Sequence, residues 1–113
     1  NFVEGMTNGT IQLPPPDRPP KPSNLPLTYE LLQNFPNPFN PTTTIQYQLP
    51  QDAKVILKVY DILGSEVATL VNEEQEAGYK EVKFNASNLA SGVYFYRISA
   101  GKYSETKRMM LLK

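Results

Sequence analysis

Strict alternation of apolar and polar residues begins at Thr42. Ile45, Tyr47 and Leu49 fall on one face, Thr44, Gln46 and Gln48 on the other, the period-two signature of a strand buried on one side. The pattern recurs over residues 53–62, where Val55, Leu57 and Val59 face one way and Ile56 and Tyr60 share the opposite, partly wet face with Lys54 and Lys58. Residues 66–71 read as a returning strand with Val67 inward and Leu70 reaching the core past an irregularity. Residues 79–85 set Val82 and Phe84 against Glu81 and Lys83. Residues 93–100 (VYFYRISA) are apolar on both faces, as a central strand requires, with Tyr94, Tyr96 and Ile98 on the deeper side. Residues 103–113 make the last strand, and Lys107, Arg108 and Lys113 guard its edge against sheet-to-sheet pairing. With a short strand over 27–34, the count is about seven. The spacing predicts an all-β fold, an antiparallel β-sandwich of immunoglobulin or fibronectin III type.

The connections carry turn chemistry. Pro50-Gln51-Asp52 forms one turn, and Asp61-Ile62-Leu63-Gly64 closes a hairpin with Gly64 in the left-handed position. Residues 72–78 (NEEQEAG) read as a solvated acidic loop that lacks the spacing of a calcium site. Residues 88–92 (NLASG) cross over to the next strand. Upstream of the sandwich, Pro36, Pro38 and Pro41 exclude a helix or a central strand, so residues 35–41 make a shaped turn before the first long strand. Seven prolines among residues 14–26 favour polyproline II and a semi-rigid spacer. The Pro16-Asp17-Arg18-Pro19 match to a proline-recognition ligand is what any such linker produces by chance. Residues 1–13 place Asn8-Gly9 at a hairpin turn, either the tail of an upstream domain or an isolated hairpin. The expected organisation is thus 1–13, a linker over 14–26, and a sandwich over 27–113. Asn1 opens the chain without an initiator methionine or a leader, which reads as the C-terminal piece of a longer protein.

Composition narrows the chemistry. Eleven basic and eleven acidic side chains cancel, which removes the electrostatic case for nucleic acid or an anionic membrane surface. The longest apolar runs are far too short to span a bilayer. With no histidine and no cysteine, the commonest general base, the thiol nucleophile and most transition-metal sites are missing. Asp61, Glu66, Glu73, Glu74 and Glu76 fall in turns flanked by lysines, as ordinary solvated carboxylates do. Neither an enzyme nor a cofactor is expected. Tyr60, Phe95, Tyr79 and Tyr103 leave open an aromatic face for a polysaccharide, in a binding or spacer module.

Four stretches occur in order: PNPFNPTTTI at 36–45, VYDILGSEVATLV at 59–71, ASGVYFYRI at 90–98 and TKRMMLLK at 106–113. In these the chain resembles the C-terminal sorting domain of the type IX secretion system, the por secretion tail. The resemblance implies an address on an exported protein of a Gram-negative bacterium, reaching the surface or the medium through the periplasm. The implied partners are the outer-membrane translocon, a sortase-like peptidase that removes the tail or joins the cargo to the surface, and a covalently linked upstream cargo domain. Carried onto matching positions, the motif residues are Pro36, Asn37, Pro38, Tyr60, Asp61, Gly64, Val67, Gly92, Tyr94 and Lys107. Strand addition to the last strand is the expected mode of receptor pairing, and cleavage is expected within 14–29.

Overall fold

A computed structural model describes residues 25–113. The hairpin expected over 1–13 and nearly all of the spacer lie outside the described residues. The seven strands are β1 (Glu30–Leu31), β2 (Thr42–Leu49), β3 (Ala53–Tyr60), β4 (Glu66–Gln75), β5 (Gly78–Asn85), β6 (Gly92–Ala100) and β7 (Tyr103–Leu111). They form a three-stranded sheet, β1-β2-β5, and a four-stranded sheet, β4-β3-β6-β7. Every strand pairing is antiparallel, so the sandwich expected from the alternation is the observed architecture.

Alternation decides which side chains meet between the sheets. Ile45, Tyr47 and Leu49 of β2 face Val55, Leu57 and Val59 of β3 and Tyr94, Tyr96 and Ile98 of β6 across one continuous core. Met109 and Leu111 of β7, Phe84 of β5 and Phe39 from the proline-rich turn complete it. A domain this small buries only about 60 % of the surface of its unfolded chain, so these few large side chains carry most of the apolar burial.

Two expectations change in detail. The segment read as an acidic loop is strand through Gln75, with Lys54, Val55 and Ile56 of β3 paired to Glu74, Glu73 and Asn72. Glutamate is poor in a central strand, but β4 lies at the edge of its sheet, where carboxylates keep their water and discourage further pairing. Register shifts at Leu57/Lys58 and Val59/Tyr60 supply the irregularity expected before Leu70, which packs half-buried against the core. The strand expected over 27–34 contracts to the two residues of β1; beyond it the chain stays beside β2 only through the Leu32–Gln46 backbone bond and the isolated Phe35–Thr44 bridge.

Candidate functional site

Three prolines deny residues 35–41 a ladder of their own, so the turn is fixed by side chains and by neighbouring strands. Asn34, 2% exposed, is its anchor. Its Nδ2 donates to the Pro36 carbonyl at 3.1 Å and to Thr43 Oγ1 at 2.9 Å, and the Thr43 hydroxyl donates to the same carbonyl at 2.9 Å. The Tyr96 hydroxyl accepts from the Asn34 amide and donates to the Leu32 carbonyl, each at 2.8 Å. Burial pushes the Tyr96 phenol up to about 12 and so keeps it a neutral donor. A half-paired version of this knot would cost more than an apolar core, and here each buried polar group has a partner.

Fixed in this way, the turn lies along the outer edge of β7. The Phe39 amide donates to the Met110 carbonyl, and the Leu112 amide returns a bond to the Phe39 carbonyl, both at 3.0 Å. Asn37 Oδ1 takes the Met110 amide at 3.0 Å, and Gln33 Nε2 donates to the Arg108 carbonyl at 2.8 Å. Phe39 drops its ring into the core, tilted on Phe84 with centroids 6.2 Å apart. The C-terminal half of the last strand, open for strand addition on sequence grounds, is therefore already engaged by its own chain. Among the described residues, Ser104 and Thr106 are left without a backbone partner on that side.

The second motif builds the turn between β3 and β4. Asp61 Oδ1 accepts from the amides of Leu63 and Ser65, each at 2.9 Å, and the Gly64 amide donates to the Asp61 carbonyl at 3.0 Å. Gly64 has φ +84, and nothing lies within 4 Å of where its Cβ would stand. The backbone conformation, not crowding, calls for glycine there. Beside this turn, Tyr60, Phe95, Arg97 and Thr106 on the outer face of the four-stranded sheet floor a shallow recess of about 330 Å³, with Asp61, Ile62 and Gly64 at its wall.

Strand register collects the motif residues at one end of the four-stranded sheet. Tyr60 pairs with Phe95 and Phe95 with Arg108; Val59 pairs with Tyr96 and Tyr96 with Lys107. Tyr94 lies opposite Met109, and Gly92 opposite Leu111, beside the Phe39 bridge. Tyr94 is buried, with its hydroxyl donating to the Ala90 carbonyl at 2.7 Å. Val67 packs half-buried on the core. Pro36, Asn37 and Pro38 are exposed, as is the turn around Gly64. Lys107 shares the inward phase of Met109 and Leu111 and pairs with Glu105 at 3.3 Å, an inward-pointing charge of the kind that blunts an edge strand. The Tyr103 hydroxyl contact chiefly holds the Glu105 carboxyl below its ordinary value. Sequence reading missed Asn34, Thr43 and Phe39; the inward phase of Thr43 with Ile45 was the available signal. It also missed Arg97 and Thr106 beside the Asp61 turn.

The four aromatics suggested as a polysaccharide face do not assemble. Tyr60 and Phe95 are cross-strand neighbours, but Tyr79 stands on β5 of the other sheet, and Tyr103 stacks on Tyr29 with centroids 5.2 Å apart.

Comparison with known proteins agrees with this arrangement. The sequence profile of the family described as "Secretion system C-terminal sorting domain" matches residues 33–112. The chain belongs to this family. The matched range takes in the proline-rich turn and all the strands from β2 to β7. Membership makes the sandwich a C-terminal sorting signal, a type of domain that is not itself catalytic, and it implies export to the cell surface or the medium. Solved structures similar to this chain include the following two. Dimeric latent PorU from Porphyromonas gingivalis superposes with a TM-score of 0.58 at 19% identity over 74% of this chain, and shows the shared fold. PorZ of the same organism, described as an essential bacterial surface component of the type-IX secretion system, superposes with a TM-score of 0.50 at 25% identity over 75% of this chain. The chain spans only 9% and 11% of those two proteins. Among curated proteins, no sequence matches it. Among the described residues, no helix is long and apolar enough to cross a membrane.

Proposed function

We propose that this sorting domain carries an upstream cargo across the outer membrane through the type IX translocon, and that a sortase-like peptidase then removes it or uses it to attach the cargo to the surface. The observation that carries the reading is the coincidence of the sorting-domain match, residues 33–112, with the packed sandwich. The motif residues divide the work. Asn37, Tyr94, Val67 and Lys107 maintain the end of the sandwich, while the exposed Pro36, Pro38 and the Tyr60–Gly64 turn are what a receptor meets. Cleavage falls upstream of β1.

Sufficiency is tested by fusing the chain behind a signal peptide and a fluorescent reporter in a host with a type IX system. Reporter at the surface and in the medium, against periplasmic retention of a reporter without the domain, is the expected result. Periplasmic retention of a folded fusion would overturn the proposal.

A further inference from the structure

A shallow recess lies beside the Asp61 turn. Its floor is the cross-strand pair Tyr60–Phe95 together with Arg97 and Thr106. Ile62 and Leu63 stand beside it 69% and 85% exposed. Together with the Tyr60–Phe95 pair they give this end of the sheet a contiguous apolar surface, the kind of feature that accompanies interaction sites. The turn is rigid because both of its amide-to-carboxylate bonds go to Asp61 Oδ1. Charge sets the partner. The ion pairs among the described residues are Lys58–Glu66 and Lys107–Glu105, so Arg97 takes no part in one, and Arg108 stands on the same outer face in the Tyr60–Phe95 row. Among the described residues, then, Arg97 lines the recess without an ion-pair partner and Arg108 stands outside its lining on the same face, while the Asp61 carboxylate in the wall has its Oδ1 taken by two backbone amides.

We propose that this recess is a docking site for a protein segment that presents an apolar side chain flanked by carboxylates. The apolar side chain sits between Ile62 and the Tyr60–Phe95 pair, and a carboxylate meets the Arg97 guanidinium, whose planar fork suits two-point contact. The assignment rests on the sorting reading, since it supplies the surface through which a receptor of the secretion system would hold the folded domain.

Two measurements test it. The first is a titration of the isotope-labelled 113-residue chain with the peptide Ser-Glu-Phe-Glu-Ser, followed by amide chemical shifts, beside its lysine counterpart Ser-Lys-Phe-Lys-Ser. Saturable shifts at Tyr60, Ile62, Arg97 and Thr106 with the acidic peptide alone are expected, weakening with added salt. Arg97→Glu should weaken the acidic peptide by roughly tenfold and bring the lysine peptide into the same site. Ile62→Asp should abolish the shifts that the acidic peptide produces. Equal response to the two peptides, shifts spread over both sheets, no shift, or shifts that follow protein concentration without peptide would each overturn the proposal, the last by making a second copy the occupant.

The second measurement repeats the export assay with folded Arg97→Glu. Export of the parent fusion with loss in the variant supports the docking site. Export of both defeats the docking site and leaves the sorting reading standing, and periplasmic retention of the parent defeats the sorting reading itself.

Discussion

Replacing Tyr96 by Phe removes one oxygen and leaves the ring. That oxygen lies in a fully buried side chain and joins two backbone groups of the segment leading into the proline-rich turn, the Leu32 carbonyl and the Asn34 amide. Phenylalanine fills nearly the same volume, so no cavity term is expected. The loss is two hydrogen bonds whose partners are left unpaired away from water, at about 1–3 kcal/mol for each stranded group. Allowing for relaxation, Tyr96→Phe should cost about 2–4 kcal/mol, a large fraction of the 5–15 kcal/mol typical of a domain. Tyr94→Phe is the control, because its hydroxyl serves a single carbonyl and should cost about 1 kcal/mol. Urea unfolding followed by tyrosine fluorescence gives both values, with an unchanged slope confirming that the unfolded states are comparable. Hydrogen exchange localises the effect. The amides of Phe39 and Leu112, which tie the turn to β7, should lose protection in Tyr96→Phe and keep it in Tyr94→Phe. If Tyr96→Phe costs under about 0.5 kcal/mol and those amides stay protected, the hydroxyl does not hold the turn and the account of the knot is wrong.

Three further outcomes follow from the same contacts. Gly64→Ala should destabilise by about 1–2 kcal/mol, because φ +84 is unfavourable for any residue with a Cβ although space is open; an unchanged urea midpoint would refute this. Phe39→Ala should cost about 3–5 kcal/mol through the cavity it leaves against Phe84, and exchange should rise at Met110 and Leu112 before the rest of the sheet. Alkaline stability has a defined sign: burial raises the Tyr96 phenol to about 12 and also raises Tyr47 and Tyr103. A folded value above the unfolded one, near 10, means the contribution is complete below about pH 10 and is lost as pH climbs toward 12. Tyr96→Phe should flatten that fall, and an equally steep fall in the variant would remove Tyr96 as its source.

Alternation made the core legible because every inward residue of β2, β3 and β6 lies two positions from the next. Gly64 and Asp61 were legible for a local reason, since turn chemistry is written in adjacent residues. Three features resisted. The Asn34–Thr43–Tyr96 knot joins residues up to 62 positions apart, and no short-range signal ties a tyrosine in a central strand to an asparagine before a proline turn. The acidic composition of residues 72–75 suggested a loop because it ignores where the strand lies; only the sheet order reveals an edge that tolerates glutamate. The recess escaped because Tyr60, Arg97 and Thr106 come from three strands and share a face only through register. The fold of this domain is written locally, whereas the surface it offers a partner is written in the pairing of its strands.

If the type IX machinery reads this domain, export must depend on a host in which that machinery works. The reporter fusion is expressed in matched strains with and without a working type IX system, and surface plus medium fluorescence is divided by periplasmic fluorescence. A high ratio in the competent strain that collapses when the secretion system is disabled is expected. An equal ratio in the two strains would contradict it.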